Sequence, residues 1–344
     1  MIPGTPPPRH PGPAAWQRAL QQCITDPCEL VECLGLGEKW IEPAGRAAAR
    51  FALKVPRGYV ARMRHGDPDD PLLRQVLPMG IELAETPGFV ADPVGDLHAL
   101  AGPGLLHKYH GRALLVTTGA CAIHCRYCFR REFPYGEQNP ARGEFAAALA
   151  SIRADTSIAE VILSGGDPLT LSDRRLHALL HELEAIPHVR RLRVHTRLPV
   201  VLPERIDAGF MQSWNSLRRL QKIMVVHANH ANEIRGAGDV RTALATLKSA
   251  DTVLLNQSVL LRGVNDSAEA LVQLSESLFE AGVLPYYLHV LDPVRGAAHF
   301  DVPDDEAASL LQEAAGRLPG YLVPKLVREV HGAASKTMLP PASR

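Results

Sequence analysis

Three cysteines lie close together in the chain, directly after an apolar run. Cys121, Cys125 and Cys128 have the spacing C-x3-C-x2-C. The preceding residues 113–118, Ala-Leu-Leu-Val-Thr-Thr, predict a β-strand, and Gly119 ends it. The thiols are therefore expected on a loop at the carboxyl end of a strand. A loop can wrap around a metal cluster, because its side chains need not alternate between two faces as those of a strand do.

The number of thiols limits the kind of metal site. Structural zinc and ordinary cubane iron–sulfur clusters take four protein ligands. The other cysteines, Cys23, Cys28 and Cys33, are distant in the sequence and are interpreted as small apolar residues. The motif therefore predicts an iron–sulfur cluster with one iron left open for a ligand. A zinc site completed by His124 or His110, and a set of plain buried thiols, are the alternatives.

Apolar, β-branched runs alternate with amphipathic segments along most of the chain. The predicted strands cover 113–118, 160–164, 192–195, 222–227, 252–260 and 285–291, and the predicted helices cover 143–153, 172–185, 203–220, 237–249, 267–282 and 303–318. This alternation is typical of parallel strands with right-handed crossovers. It predicts an α/β fold, an open partial (β/α)6 barrel, with its site at the carboxyl ends of the strands.

The chain divides into four predicted segments. Residues 1–14 are rich in proline and are expected to be disordered. Residues 15–104 have a helical period broken by proline and glycine, which predicts an N-terminal helical cap. Residues 105–320 supply the barrel, and residues 321–344 add a strand and a lysine-bearing loop.

The balance of charges limits the classes of partner that this protein is expected to bind. Lys and Arg together number 37, as do Asp and Glu, so no net positive field would hold a nucleic-acid backbone. The opening residues, MIPGTPPPRHPGPAAW, lack the apolar core of a signal peptide, and no stretch is long enough to span a membrane. We therefore expect a cytoplasmic protein with reduced cysteines and neither a nucleic-acid nor a membrane partner.

The stretch CAIHCRYCFRR, residues 121–131, resembles the signature of the radical S-adenosylmethionine (SAM) enzymes, and among them that of the lysine 2,3-aminomutase family. The resemblance runs from about residue 105 to residue 337 and includes the segments LLHKYH, LNQSVLLR, PYYLHVLD and GAAHF. It implies that the three cysteines hold a [4Fe-4S] cluster whose open iron binds SAM. It also implies pyridoxal 5′-phosphate as a further cofactor.

The resemblance assigns residues to SAM. Ser164, Gly165, Gly166 and Asp167 follow the second predicted barrel strand and resemble the segment that positions the amino group of SAM. Glycines at this place let a ligand approach the backbone, and free N–H groups there can meet it. Arg197, after the third strand, is a candidate for the SAM carboxylate, although a surface arginine would need no such role.

Other residues are assigned to pyridoxal phosphate. Lys336 resembles the lysine that bonds to this cofactor, although Met338 replaces the proline usual in the family. Such a lysine must be desolvated and deprotonated. Tyr109, Arg112 and Gln257 match positions that line the cofactor pocket.

The substrate residues follow from the same resemblance. Arg130 matches the arginine that binds the amino-acid carboxylate, a bidentate task that suits a guanidinium, and Arg131 competes for it. Asp292 matches the acid that binds the ε-ammonium of lysine. The family's second acid is an aspartate seven residues before the cofactor lysine, where this chain has Glu329. Two acids in one pocket argue for a cationic substrate and against glutamate.

The resemblance thus implies an isomerase that converts L-lysine to β-lysine. The chain ends at Arg344, soon after Lys336, and so resembles the short form that supplies (R)-β-lysine for modification of elongation factor P by a separate ligase. An electron donor of the flavodoxin or ferredoxin type is also implied. The alternatives are an aminomutase for ornithine or arginine and a non-enzymatic iron–sulfur or zinc protein.

Overall fold

The computed structural model describes residues 14–136 and 145–340. Most of the segment predicted to be disordered therefore lies outside the described residues, as do the start of the predicted helix 143–153 and the last residues of the chain. Within the described ranges, no helix combines the length and the apolar character needed to cross a bilayer.

A sheet of ten strands organises the described residues, and its strands are neighbours in chain order. The strands are β1 (Leu100–Gly102), β2 (Leu105–Tyr109), β3 (Arg112–Thr118), β4 (Glu160–Gly165), β5 (Arg191–Thr196), β6 (Gln221–Val226), β7 (Thr252–Val259), β8 (Leu284–His289), β9 (Lys325–Arg328) and β10 (Thr337–Met338). The strands from β3 to β9 pair in parallel. The strands β1, β2 and β10 extend the two ends of this array by antiparallel pairing.

Helices cover the sheet and precede it. Those before the sheet are α1 (Ala15–Gln21), α2 (Pro27–Cys33), α3 (Ile41–Arg50), α4 (Arg57–Val60) and α5 (Pro71–Arg74). Those between the strands are α6 (Ala146–Ala154), α7 (Asp173–Glu184), α8 (Leu198–Val201), α9 (Ala208–Asn215), α10 (Gly238–Ser249), α11 (Ala268–Glu280) and α12 (Asp304–Ala315). Short 3₁₀ turns lie at Glu38–Trp40, Gly80–Leu83, Leu97–Ala99, Pro168–Thr170, Pro203–Arg205, Ala231–Glu233, Ala298–Phe300 and Gly320–Leu322.

Strand β5 shows how the sequence sets the inner face of the sheet. Its residues alternate, so that Leu192 and Val194 are buried while Arg193 and His195 are partly exposed and line a central cavity. The amphipathic helix α7 buries four leucines at spacings of three, one and three residues, which form one face of the helix. These leucines belong to the same apolar core as Leu192 and Val194, and the polar side of β5 is left to the cavity.

The predicted α/β barrel fold is confirmed. The six predicted barrel strands are β3 to β8, and each boundary agrees within two residues. The predicted helix 203–220 was wrong in extent, because it divides into a 3₁₀ turn and α9. The break follows from Asp207, whose side chain accepts a hydrogen bond from the Phe210 N–H over 2.9 Å and so caps a new helix.

The ends of the sheet differ from the sequence-based expectation. The strand β1 lies inside the region 15–104, which was predicted to be helical, and β2 and β10 were not predicted as strands. The strand predicted within residues 321–344 is β9, which covers only Lys325–Arg328. One apolar core includes side chains from both the N-terminal helices and the barrel, among them Trp16, Tyr59, Leu115 and Val161. The division at residue 104 therefore stays a prediction.

Candidate active site

The strands surround a cavity of about 500 Å³. Of the predicted site residues, all except Gly166 line it: Cys121, Cys125, Cys128, Tyr109, Arg112, Arg130, Ser164, Gly165, Asp167, Arg197, Gln257, Asp292, Glu329 and Lys336. Many come from the carboxyl ends of β3 to β9 or from the loops that follow, where a barrel of this type has its site. Residues that are far apart in the sequence are thus brought to one chamber.

The three thiols of the cysteine loop are free and line the same cavity. Burial, and then the neighbouring Cys128, raises the pKa of Cys121 well above its usual value. Burial, and then Cys125, raises the pKa of Cys128 to about 11. Thiols that disfavour their own anionic forms need a nearby positive charge to become thiolates, and iron supplies it. The donor set therefore fits an iron–sulfur cluster.

The two histidines of the zinc alternative have other contacts or positions in the structure. Within the described ranges, no three His, Cys, Asp or Glu side chains are grouped closely enough to hold a single metal ion. The Nδ1 atom of His124 lies 2.8 Å from the Ala52 carbonyl oxygen, and its ring stacks on Phe51. His110 is exposed in the turn between β2 and β3, before the strand whose far end carries the cysteines.

Gly165 and Gly166, at the end of β4, allow the chain to pass close to the loop that carries the three cysteines. A Cβ atom on Gly166 would lie 2.4 Å from the Ala120 carbonyl oxygen. The N–H of Gly166 donates to the Thr118 carbonyl, and the N–H of Asp167 donates to the Ala120 carbonyl, over 2.7 and 2.8 Å. The expectation that these N–H groups are free for a ligand was wrong, because both groups donate to backbone carbonyls directly before Cys121.

The side chain of Asp167 is buried and binds residues at the end of the next strand, β5. Its carboxylate accepts hydrogen bonds from the Thr196 hydroxyl and from the Arg197 N–H, the latter over 2.7 Å. Burial raises the pKa of Asp167 to about 6 despite these bonds. Its contact with SAM stays a prediction.

Arg197 is buried, and most of its guanidinium is occupied by the protein. Its Nη1 lies 2.7 Å from the sulfur of Cys125, and its Nη2 lies 2.9 Å from Glu233 and 2.6 Å from the side-chain oxygen of Gln75. Only Nε is buried without a partner within the described residues. The surface-arginine alternative is wrong, and the N–H of Nε remains for the predicted SAM carboxylate.

Arg130 and Arg131 point to different places. Arg130 lines the cavity, and its Nη1 donates to the Ser164 hydroxyl over 3.0 Å. Its Nε lies 2.6 Å from Asp96, an acid of the segment before β1. Arg131 pairs instead with the buried Glu82 over 2.9 Å, away from the cavity lining. The geometry therefore favours Arg130 over Arg131 as a ligand of a bound carboxylate.

Glu329 contacts side chains from both ends of the sheet. Its Oε1 accepts a hydrogen bond from the Tyr109 hydroxyl over 2.6 Å, and its Oε2 lies 2.7 Å from the Lys336 ammonium. Lys108 approaches Oε1 to 3.7 Å. Burial alone would raise the pKa of Glu329, but Lys336 and Tyr109 hold it below its usual value. This acid is therefore a charged acceptor on the cavity wall.

Asp292 is the acid with spare capacity. Its side chain lines the cavity and has no hydrogen bond or ion pair within the described residues. Burial raises its pKa to about 7, although Lys336 opposes the shift. The carboxylate form of Asp292 would consequently be stabilised by a bound cation.

Two histidines of neighbouring strands also face this chamber. The rings of His195 and His227 are 6.0 Å apart, and the Nε2 atom of each is buried without a partner in the described part of the chain. Burial lowers the pKa of His195 well below its usual value and that of His227 to about 4, so both rings are neutral. Neutral rings with unpaired nitrogens suit a polar, uncharged group, as the cofactors contain.

Two charged residues were missed by the sequence analysis. Asp96 lies in a segment rich in Pro, Gly and Asp, where an aspartate is typical of turns. Lys108 was left without a role because its neighbours His107 and His110 give it no distinctive pattern. Asp96 and Lys108 are linked by an ion pair of 2.7 Å, and a single sequence offers no signal for such a contact.

Comparison with known proteins adds an independent line of argument. Residues 115–274 match the model of the Radical SAM superfamily. The chain is 50% identical to the L-lysine 2,3-aminomutase of Escherichia coli (strain K12) over 325 residues, which cover 94% of each chain. It is 45% identical to the L-lysine 2,3-aminomutase of Haemophilus influenzae, covering 94% of this chain and 95% of that one.

More distant relatives have the same name. The L-lysine 2,3-aminomutase of Clostridium subterminale is 32% identical over 95% of this chain and 78% of its own length. Among solved structures, a radical SAM methyltransferase from Sphaerobacter thermophilus superposes with a TM-score of 0.44 at 19% identity, covering 65% of this chain and 68% of that one.

Proposed function

Because the chain belongs to the lysine 2,3-aminomutase family of radical SAM enzymes, we propose that it converts L-lysine to (R)-β-lysine. In this isomerisation the amino group moves from the α-carbon to the β-carbon and a hydrogen atom moves the other way. Substrate and product contain the same atoms, so the reaction has no net redox change. The homologues are isomerases, and membership of the family implies a [4Fe-4S] cluster, SAM and pyridoxal phosphate.

One observation supports the proposal most strongly. The cavity of about 500 Å³ is lined both by the three thiols and by Lys336, the residue proposed to bond to pyridoxal phosphate. Its volume lies within the range of small-molecule and cofactor sites. A radical generated at the cluster and an amino acid held near Lys336 would therefore share one cavity, whose walls would limit side reactions with solvent.

The cofactors have candidate ligands in this chain. Cys121, Cys125 and Cys128 would hold the cluster, and Arg112 is a cation on the same cavity wall suited to the phosphate of the second cofactor. When bound, the cluster with SAM supplies the radical and pyridoxal phosphate supplies an aromatic system that spreads the unpaired spin. The protein residues bind, orient and shield the reacting groups.

The substrate would be held at both ends. Arg130 keeps Nη2 without a partner in the described residues, which leaves an N–H edge for the α-carboxylate. Asp292 is an acid without a partner in the described residues. It would bind the other end of the substrate, the cationic tail. The Lys336–Glu329 pair supports the same idea, because Lys336 itself places an ε-ammonium 2.7 Å from Glu329. An acid that accepts this group from the protein has the chemistry to accept it from free lysine.

The test is anaerobic reconstitution with iron, sulfide, pyridoxal phosphate, SAM and dithionite, followed by chiral analysis of the amino-acid products. L-lysine should yield (R)-β-lysine, with L-ornithine and L-arginine turned over more slowly. Lys336→Ala should lose the absorbance of the bound pyridoxal cofactor yet retain iron, whereas Cys125→Ala should lose iron yet retain that absorbance. A protein that leaves all three amino acids unchanged, although fully loaded, would refute the proposal.

The biological use of the product is a further part of the proposal. We propose that (R)-β-lysine formed in the cytoplasm is attached by a ligase to elongation factor P, with a flavodoxin or ferredoxin as electron donor. This part of the proposal rests on the segments LLHKYH, LNQSVLLR, PYYLHVLD and GAAHF, which resemble those of the short form. Mass spectrometry of elongation factor P from cells with and without this gene tests it, since only the former should contain the added β-lysyl mass.

A further inference from the structure

Asp96 belongs to a chain of alternating charges on the cavity wall. Its Oδ2 is 2.6 Å from Arg130 Nε and its Oδ1 is 2.7 Å from Lys108 Nζ. Lys108 lies 3.7 Å from Glu329, which pairs with Lys336 over 2.7 Å. The order of charges is therefore plus, minus, plus, minus, plus, from the arginine at one end of the cavity to the lysine at the other.

Asp96 determines which edge of the Arg130 guanidinium stays free. Asp96 holds Nε, Ser164 holds Nη1 over 3.0 Å, and the guanidinium packs 4.8 Å from the ring centre of Phe129. Within the described residues, Nη2 has no partner, and Arg130 lines the cavity. Because three contacts fix the plane of the guanidinium, the free edge has one direction.

The segment that contains Asp96 is itself held in place. The N–H of Asp96 donates to the Asp92 carboxylate over 3.0 Å, and Lys108 donates to the Val94 carbonyl over 2.8 Å. Asp96 is only 2% exposed. Burial alone would raise its pKa, but Arg130 and Lys108 hold the pKa below its usual value, so the acid is charged. A buried charge with both oxygens occupied is rigid.

We propose that Asp96 is the residue that positions Arg130 for the carboxylate of the amino-acid substrate and that, through Lys108, it joins this end of the cavity to Glu329. The proposal rests on the proposed function, because it assumes that Arg130 binds the substrate. Asp96 does not touch the substrate, so it acts through Arg130 and is not a catalytic residue.

The variant Asp96→Asn tests the proposal. Asparagine keeps the size but loses the charge, and a lost charge-assisted hydrogen bond of about 1.5–3 kcal/mol corresponds to roughly a ten- to hundredfold effect on binding. The KM for L-lysine should rise by about that factor while kcat changes much less, since the carboxylate contact is made in the ground state and transition state alike. The exposed Asp301→Asn is the matched control and should keep the wild-type KM.

A double-mutant cycle separates positioning from general damage. In an Arg130→Gln background, Asp96→Asn should add almost nothing to the KM, because its target is gone. If it raises the KM by the same factor in both backgrounds, the proposal is overturned. If Asp96→Asn does not fold, Asp96→Glu keeps the charge, displaces it by one methylene and gives the same test.

A crystal structure of the Asp96→Asn variant distinguishes failure of this inference from failure of the proposed function. Arg130 should leave Ser164 and adopt another rotamer, whether or not lysine is turned over. An Arg130 side chain that stays in place with an unchanged KM would overturn the role of Asp96 while the aminomutase activity stands. A wild-type protein that is inactive on lysine, with Arg130 displaced in the variant, would contradict the function but retain the positioning contact.

Discussion

The guanidinium of Arg197 donates a hydrogen bond of 2.7 Å to the sulfur of Cys125. The same side chain pairs with the buried Glu233 over 2.9 Å. An N–H donor at a cysteine ligand stabilises the more negative, reduced state of an iron–sulfur cluster, and such bonds are among the features that set its reduction potential. If Cys125 holds the proposed cluster, the contact would connect a residue first assigned to SAM with the electronic properties of that cluster.

We expect Arg197→Gln and Glu233→Gln to shift the cluster potential in opposite directions. Loss of the cation should lower the potential by tens of millivolts, as an order of magnitude for one charge-assisted hydrogen bond. Loss of the anion, which leaves Arg197 on Cys125, should raise it. Redox titration followed by electron paramagnetic resonance, without SAM, measures both. Equal potentials in the two variants and the wild type would show that the contact has no electronic effect.

Asp292 predicts a pH dependence of substrate binding. Its pKa is raised to about 7 by burial, so the carboxylate that would bind an ammonium group is formed only as the pH rises through this value. The KM for lysine should therefore fall between about pH 6 and pH 8. In Asp292→Asn the KM should be higher and nearly independent of pH over this interval. A wild-type KM that is flat over the interval, or that rises, would contradict the role.

Asp292 also affects stability, with a definite sign. A carboxyl group whose pKa is higher in the folded than in the unfolded protein disfavours folding once the pH exceeds the unfolded value, and this cost is complete above about 7. Asp292→Asn should consequently raise the melting temperature, and more at about pH 8 than at about pH 5.5. Differential scanning fluorimetry of the cofactor-free protein at both values measures the difference, and a gain that is larger at the lower pH would contradict the assignment.

The barrel strands were predictable because buried strands are rich in apolar residues, which the sequence shows directly. The strand β4, Glu160–Gly165, is buried at five of its six positions, and its central residues 161–163 form a short apolar run, which is typical of parallel strands. The strands β1 and β10 have only three and two residues and no such run. They form because a neighbouring strand supplies hydrogen-bond partners, and a local sequence pattern does not predict such pairing.

The site residues were predictable where they lie close to a recognisable motif in the sequence. Arg130 was identified because it lies two residues after Cys128. Asp96 lies 34 residues before Arg130, and Lys108 lies 221 residues before Glu329, so neither contact has a local signature. At the end of β4 a local pattern was present but was misinterpreted. Its glycines were expected to expose N–H groups to a ligand, but the chain uses the absence of a Cβ to bring two backbones together.

Gly166→Ala tests this packing role. The added Cβ would lie 2.4 Å from the Ala120 carbonyl oxygen, next to Cys121, so the cysteine loop must shift. We expect a loss of about 1–3 kcal/mol in the free energy of unfolding, as for overpacked sites, and incomplete iron incorporation. Gly45→Ala, in helix α3, is the control, because its Cβ would contact nothing within 4 Å. Iron content after reconstitution measures the effect, and full loading of the Gly166 variant would contradict it.

Glu329 provides a test of substrate length. Its carboxylate is held by the Tyr109 hydroxyl over 2.6 Å and faces the Lys336 ammonium over 2.7 Å. Glu329→Asp withdraws the carboxylate by one methylene, which should favour lysine over the shorter ornithine. One methylene is worth about 1–3 kcal/mol in a specificity pocket, so the ratio of the two kcat/KM values should rise by roughly tenfold or more. Tyr109→Phe removes the hydroxyl but keeps the length of the acid, and it should weaken both substrates without changing their ratio. If the ratio stays constant in Glu329→Asp, or changes as much in Tyr109→Phe, then Glu329 does not measure the length of the substrate, and Asp292 alone would bind its ammonium group.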